Sequence, residues 1–262
     1  MNLENLVSTD RYLAPSRRDA VLSRAHAAMA AEGSVTLENF VLPGALAAML
    51  EEARAAEADA YRRNQGYSAY LVQEATGSKN HPTQRLHRYA LSAVANDRLQ
   101  PDGALSTLYR DREFIRFIAD ILKEPQLYPL GDPMLGLTLT YLRDGDEHGW
   151  HFDANDFVVS LLLQDADEGG VFEFAPFVRS MDEPNFETVE AIMDGDRGPL
   201  RAIRARPGTL AIFAGKRSLH RVSPVHGDRT RIIALFSYDR VPDLVHDESV
   251  HMRTFGRTLL HT

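Results

Sequence analysis

Tyr141-Leu-Arg-Asp-Gly-Asp-Glu-His-Gly-Trp-His-Phe-Asp153 is the stretch on which the fold turns. It closes with His151-Phe152-Asp153. In an extended chain, residues two apart point to the same face. An imidazole nitrogen and a carboxylate oxygen then leave one strand end together and can reach a single metal ion. The third ligand has to come from elsewhere, and His220 in Lys216-Arg-Ser-Leu-His-Arg-Val-Ser-Pro-Val225 is the candidate. Two histidines and one carboxylate on one side of an ion leave the opposite positions open. That ligand set suits non-haem iron(II) as a facial triad and, on ligand type alone, zinc. The lack of a His-Glu-x-x-His helix and the strand-rich context favour iron.

Working outward, Leu135-Gly-Leu-Thr-Leu-Thr-Tyr141 reads as a strand ahead of a polar turn. Phe157-Val-Val-Ser-Leu-Leu-Leu163 is almost continuously apolar, which predicts burial on both faces. A turn at Gly169-Gly170, a strand over Val171–Phe174, a short helix over Asn185–Met193 and an extended Leu200–Arg204 follow. Pro207-Gly208 turns the chain into the strand Thr209–Phe213, and Arg231–Tyr238 is the last clear strand. Short strands separated by turn signals indicate a sandwich or barrel. Upstream, helices are expected over Ser16–Glu32, from Pro43 toward Arg63, and over Leu105–Leu122, with an extended piece at Val35–Leu42. Gly66–Tyr70 and Gly77–Pro82 read as loops. Gln84-Arg85-Leu-His87-Arg88-Tyr89 is a basic-aromatic cluster. It is either a solvated segment or a loop over the site, in which Arg85 or Arg88 grips a substrate carboxylate with its two-pronged guanidinium.

The chain has 262 residues, 44% hydrophobic and 25% charged, which suits one globular domain. A net charge of −8 speaks against non-specific nucleic-acid binding. No cysteine is present, so disulfides, thiolate nucleophiles and Cys-based zinc sites are excluded, and a reducing, cytoplasmic setting is expected. No basic-then-apolar leader opens the sequence, and no apolar run has the length of a membrane span. A homodimer is left open.

The ordered set of strand, His-x-Asp, apolar run, double glycine, distal His and arginine-bearing strand resembles the Fe(II)/2-oxoglutarate-dependent oxygenase superfamily over about residues 126–240. The resemblance implies an α+β fold with a double-stranded β-helix (jelly-roll, cupin-like) core. One domain would span 1–262, with a mainly helical region over 1–125, the β-core over 126–240 and a tail over 241–262. It implies Fe(II), 2-oxoglutarate and O2 as cofactors, with ascorbate as reductant in vitro. His151, Asp153 and His220 would hold the metal. A basic residue beyond the distal His would hold the far carboxylate of 2-oxoglutarate. Arg231, which begins an apolar strand, is the first choice and Arg229 the second, and Tyr141 is a further hydrogen-bond donor to that carboxylate, unless it is a core tyrosine.

His148-Gly-Trp-His-Phe-Asp153, Asn155–Gln164, Glu168–Phe174 and Ser218–Val225 are similar to a narrower group, the radical halogenases and hydroxylases of free lysine-type amino acids. That group acts without a carrier protein. By this resemblance His148, Arg85 or Arg88, and Phe255 would touch the substrate. In the halogenases the metal carboxylate is replaced by Gly or Ala, leaving room for chloride; Asp153 is present, so hydroxylation of an aliphatic carbon is expected instead. Oxidative cyclisation, for example cyclopropanation of 6-nitronorleucine, or desaturation would use the same hydrogen abstraction. The acidic positions that hold the lysine ammonium fall on Met134 and Ala154, with Asp132 and Asp156 nearby. This departure points to a substrate whose tail is uncharged or differently polar. The rival readings are a metal-dependent cupin-type hydrolase or isomerase and a small-molecule binding module.

Overall fold

The computed structural model describes residues 2–71 and 81–259. The expected loop over residues 77–80 and the end of the expected tail at 260–262 lie outside them. The amino-terminal part runs α1 (Pro15–Glu32), β1 (Ser34–Leu37), α2 (Pro43–Ala56), β2 (Tyr61–Ser68), β3 (Leu86–Val94), α3 (Ala104–Arg110) and α4 (Arg112–Leu122). The rest runs β4 (Leu137–Leu142), β5 (Glu147–His151), β6 (Val158–Gln164), β7 (Phe172–Ala175), α5 (Phe186–Met193), β8 (Arg201–Ile203), β9 (Leu210–Phe213), β10 (Leu219–Val222), β11 (Arg231–Phe236) and α6 (Glu248–Phe255).

Eleven strands form one sheet in the order β1-β9-β6-β11-β4-β3-β5-β10-β7-β8, with β2 also paired to β3. β3 joins the two halves: Ser92–Val94 pair with β4, while Tyr89 and Ala90 pair with β5. The sheet curls on itself as a double-stranded β-helix, the architecture expected from the sequence. Period-2 alternation divides its residues between two interiors. On β6, Val159, Leu161 and Leu163 enter the large core beneath the helices, while Val158, Ser160 and Leu162 line a cavity inside the barrel. On β11, Ile232, Ala234 and Phe236 take the helix side and Arg231, Ile233 and Leu235 the cavity side. This is why Phe157–Leu163 reads as apolar on both faces.

Three expectations are corrected. Helices make up most of the described residues in 1–125, but the loops expected at Gly66–Tyr70 and Gln84–Tyr89 give way to the β2–β3 hairpin, paired from Tyr61↔Ala93 to Ser68↔Leu86. The second helix stops at Ala56 rather than near Arg63, since Tyr61 already begins β2. The helix expected over Leu105–Leu122 is two helices. Asp111 breaks it by capping α4: its carboxylate accepts from the Glu113 and Phe114 amides, both at 2.9 Å. The expected tail also carries a helix, α6.

One irregularity positions the site. His220 opposes His151 and Val222 opposes His148, so Gly149 and Trp150 of β5 face the single Arg221 of β10. The extra residue is a β-bulge. His148 and His151 are three apart and would leave a regular strand on opposite faces. With the bulge, both line the cavity, their rings stacked at 3.7 Å. Gly149 sits in the bulge because a Cβ there would lie 2.6 Å from the His87 Cβ and 2.7 Å from the Arg88 carbonyl oxygen. Gly149→Ala should therefore destabilise the chain by about 1–3 kcal/mol in urea denaturation through overpacking of β3 against β5. Gly44→Ala, with open space around it in α2, should be neutral or slightly stabilising.

Candidate metal centre

His151 ends β5 and His220 lies directly across from it on β10. The Nδ1–H of His151 donates to the Gly149 carbonyl at 2.7 Å, and that of His220 to the Ser218 carbonyl at 2.9 Å. A carbonyl oxygen can only accept, so Nδ1 carries the hydrogen and the Nε2 lone pair of each ring is free to ligate. Asp153 stands just past the strand end. Its Oδ1 is 3.6 Å from His151 Nε2 and its Oδ2 3.3 Å from His220 Nε2. One ligand atom from each of the three lies within 4.8 Å of the others. Burial alone would raise the Asp153 pKa, but the neighbouring imidazoles, His220 and then His151, outweigh it and hold the carboxyl well below the usual range. Burial first, and then the nearby His220, lower the pKa of His151. The chemistry of this donor set fits a divalent cation. The Asp153 Oδ2 is buried and has no hydrogen-bond partner, a costly state unless a cation faces it.

Two neighbours hold Asp153 in place. Its amide donates to the Gly215 carbonyl at 3.2 Å, and a Cβ at Gly215 would fall inside the Asp153 carboxylate. Arg179 lays its guanidinium 4.0 Å from the Phe152 ring and donates from Nε to the Lys216 carbonyl at 2.6 Å. It thereby ties the segment carrying Asp153 to the turn before His220.

The cavity reached by these three residues measures about 240 Å3. Its walls are largely apolar, with Leu142, Leu162, Phe213 and Ile233 among them. Asp153 contacts Gly215 just beyond the last residue of β9, whereas Arg231 pairs with Leu142 at the far end of β4. The metal ligands and Arg231 thus sit at opposite ends of the same strands. Arg231 is 6% exposed, its Nε has no partner, and it forms no ion pair among the described residues. Burial draws its pKa down to about 10, with the charge of Asp165 pulling the other way. It stays a cation at neutral pH, and a buried cation calls for an anion.

The other sequence candidates divide. His148 lines the cavity, and its buried Nε2 is unpartnered. Arg229 does not reach the cavity. β11 begins only at Arg231, and the exposed Arg229, ahead of it, is held by Asp167 at 3.1 Å. Tyr141 opposes Ile232 on the helix side and donates to the Ala53 carbonyl at 2.7 Å, so it faces away from any co-substrate. Arg85 turns to Asp194 at 2.5 Å and Arg88 to the Gly145 carbonyl. Phe255 is buried in the cluster with Leu91 and Val222, behind the cavity wall rather than in it. Residues missed in the sequence are Tyr89, which lines the cavity, and Arg63, whose buried guanidinium lies 4.3 Å from the Tyr89 ring with Nε unpartnered. Their signal was the alternation on β2 and β3, masked by polar residues.

Residues 17–254 match the protein family described as HalD, Halogenase D. Solved structures share the fold at low identity. SnoN, a non-heme alpha ketoglutarate dependent epimerase from nogalamycin biosynthesis, is 16% identical with a TM-score of 0.59, over 84% of this chain and 81% of that one. A 2OG-Fe(II) oxygenase family oxidoreductase from Burkholderia pseudomallei is 17% identical with a TM-score of 0.54, over 84% and 91%. EctD from S. alaskensis, solved with 2-oxoglutarate and 5-hydroxyectoine, is 17% identical with a TM-score of 0.56, over 86% and 78%. No curated protein matches the chain. The fold is that of the Fe(II)/2-oxoglutarate oxygenases.

Two outcomes are expected. His220→Ala and Asp153→Ala should each weaken binding of Fe(II) or Co(II) in equilibrium dialysis by at least about 100-fold, beyond the effect of losing an outer-shell partner. His87 provides a pH test. Burial first, then the charges of Arg85, Arg221 and His151, lower its pKa from 6.5 to about 4. The unfolded chain takes up that proton near pH 6.5 and the folded chain only near 4. The stability linked to neutral His87 is complete above about 6.5 and is lost as pH falls toward 4. His87→Gln should flatten the urea-denaturation midpoint over that window.

Proposed function

The chain belongs to the Halogenase D family, and from that premise we propose that it is an Fe(II)/2-oxoglutarate-dependent oxygenase that hydroxylates an aliphatic carbon of a free or lysine-derived amino acid. The observation that carries the reading is one cavity with three free ligand atoms at one end and the unpaired Arg231 at the other. His151, Asp153 and His220 would hold the iron, and Arg231 the far carboxylate of 2-oxoglutarate. Together with O2, the bound pair supplies oxidation of an unactivated C–H bond, with 2-oxoglutarate lost as succinate and CO2.

The chain's own residues set the outcome and the substrate. Asp153 occupies the position that the related halogenases leave open to chloride, which supports hydroxylation in spite of the family's name. Largely apolar walls enclose the space between the ligands and Arg231. Burial, followed by the charges of His151, His220 and Arg63, holds the His148 pKa well below its ordinary value. A neutral His148 ring can offer a hydrogen bond without adding charge. Since Arg85 and Arg88 are engaged elsewhere, Arg63, stacked on Tyr89, is our choice for the substrate carboxylate.

The uncharged tail is supported by the state of the two nearby acids. Asp132 accepts from His251 at 2.7 Å and from the Met134, Leu135 and His246 amides. Asp156 is paired with Arg240 at 2.6 Å and Lys216 at 3.0 Å. Neither is left for a substrate ammonium. A lysine derivative with its amine masked or oxidised fits, and this also keeps oxidative cyclisation or desaturation as the second reading. A hydrolase would leave Arg231 without an anion, and three protein ligands with no fourth among the described residues speak against a closed structural metal site in a binding module. No helix of the described residues is long and apolar enough to cross a membrane, and a cytoplasmic location belongs to the same proposal.

The test is succinate release from Fe(II)-loaded protein with 2-oxoglutarate, ascorbate and pools of amino acids. Expected is succinate above the substrate-free background with one pool, plus a product heavier by one oxygen. A product lighter by two hydrogens would move the reading to cyclisation or desaturation. Background succinate with every pool would refute the substrate class.

A further inference from the structure

The sheet ends at β1 on one side and at β8 on the other. The two ends face a common surface groove of about 930 Å3, with α1 as a further wall. Consecutive residues, 34–38 and 201–205, line it from the two strand segments. The groove is therefore bordered by strand edges rather than by one face of either strand. Five guanidinium groups surround it, from Arg11, Arg17, Arg24, Arg201 and Arg204, against two carboxylates, Glu32 and Glu38. All five arginines are exposed, and none is ion-paired among the described residues. On a chain with a net charge of −8, this is an unusual concentration of positive charge.

The groove abuts the cavity. Ile203, Arg204, Ala205 and Thr209 line both. Thr209 is 1% exposed, and its buried hydroxyl has no partner. Its carbonyl accepts from the Leu162 amide, and Leu162 opposes Ile233, two residues from Arg231. The shared wall therefore stands at the Arg231 end of the cavity, away from the metal ligands. Part of that wall is β8, a three-residue strand paired only to β7. A short edge strand is among the least costly elements to displace.

We propose that this groove is the approach route for the dicarboxylate co-substrate, with the arginine rim gathering the dianion and the wall at 203–205 and Thr209 passing it to Arg231. The inference rests on the oxygenase reading above. A dianion is repelled over most of a chain of this charge, and a cleft of one sign raises association rates. Travel in this direction also suits the molecule's polarity. The keto-acid end leads toward His151, Asp153 and His220, and the far carboxylate trails into Arg231. The Thr209 hydroxyl offers a hydrogen bond at the crossing.

The experiment is stopped-flow association of 2-oxoglutarate with Co(II)-loaded protein, followed by Trp150 fluorescence at several salt concentrations. The variant Arg17→Glu/Arg24→Glu/Arg204→Glu should associate about tenfold more slowly at low salt, with an unchanged dissociation rate. The wild-type rate should fall toward the variant's as salt rises. A control that reverses Arg98, Arg116 and Arg253, outside the groove, makes the same charge change and should lose little. Equal loss in the control, or a wild-type rate indifferent to salt, would overturn the route; the salt series stands even if the triple variant does not fold. Equally fast association by the folded triple variant overturns the route alone. No binding by wild type overturns the route and the co-substrate reading together.

Discussion

Two antiparallel strands, β5 and β10, meet with His151 opposite His220, and the site depends on that register. Each ring is pinned by a hydrogen bond to a carbonyl two residues earlier in its own strand, which leaves both Nε2 atoms facing the Asp153 carboxylate. A one-residue slip would send the rings to opposite faces. The bulge at Gly149 adds a third imidazole, His148, to the same face without disturbing the His151–His220 pair. Close approach of β3 at Gly149, and of Asp153 at Gly215, explains why neither position carries a side chain.

The second constraint is unpaired charge between largely apolar walls. The Asp153 Oδ2 and the Arg231 Nε are both buried without a partner, at opposite ends of one cavity. Leaving such groups unpaired costs several kcal/mol, and folding alone does not recover it. Asp132 and Glu173 show the contrast: Asp132 receives a histidine and three amides, and Glu173 meets Arg197 and Arg221. At Asp153 and Arg231 the rule that buried charge is paired is broken where a cation and an anion are expected to bind, as is usual at functional sites.

Much of this was legible in the sequence, for physical reasons. His151 and Asp153 are two apart on extended chain, so spacing alone put them on one face. Arg231 opens an apolar strand, so its burial could be anticipated. The apolar run of β6 announced burial on both sides. What could not be read required register or an exact strand start. Tyr141 and Thr140 are neighbours, yet one faces the helices and the other the cavity. Arg229 is two residues from Arg231 but precedes the strand. The β2–β3 hairpin was hidden because its alternating residues include His87, Tyr89 and Arg63. These are polar side chains that look like loop in the sequence, yet β3 is the strand that joins the two halves of the barrel.

The most direct measurement is anaerobic calorimetric titration of 2-oxoglutarate into the Co(II)-loaded chain, the metal-free chain, and a Co(II)-loaded Arg231→Leu variant. The account expects one-to-one binding that requires the metal and weakens by at least about tenfold without the guanidinium, since a buried charged hydrogen bond is worth ~1.5–3 kcal/mol. Binding of equal strength in all three would contradict it, because the metal ligands and Arg231 would then not form one site.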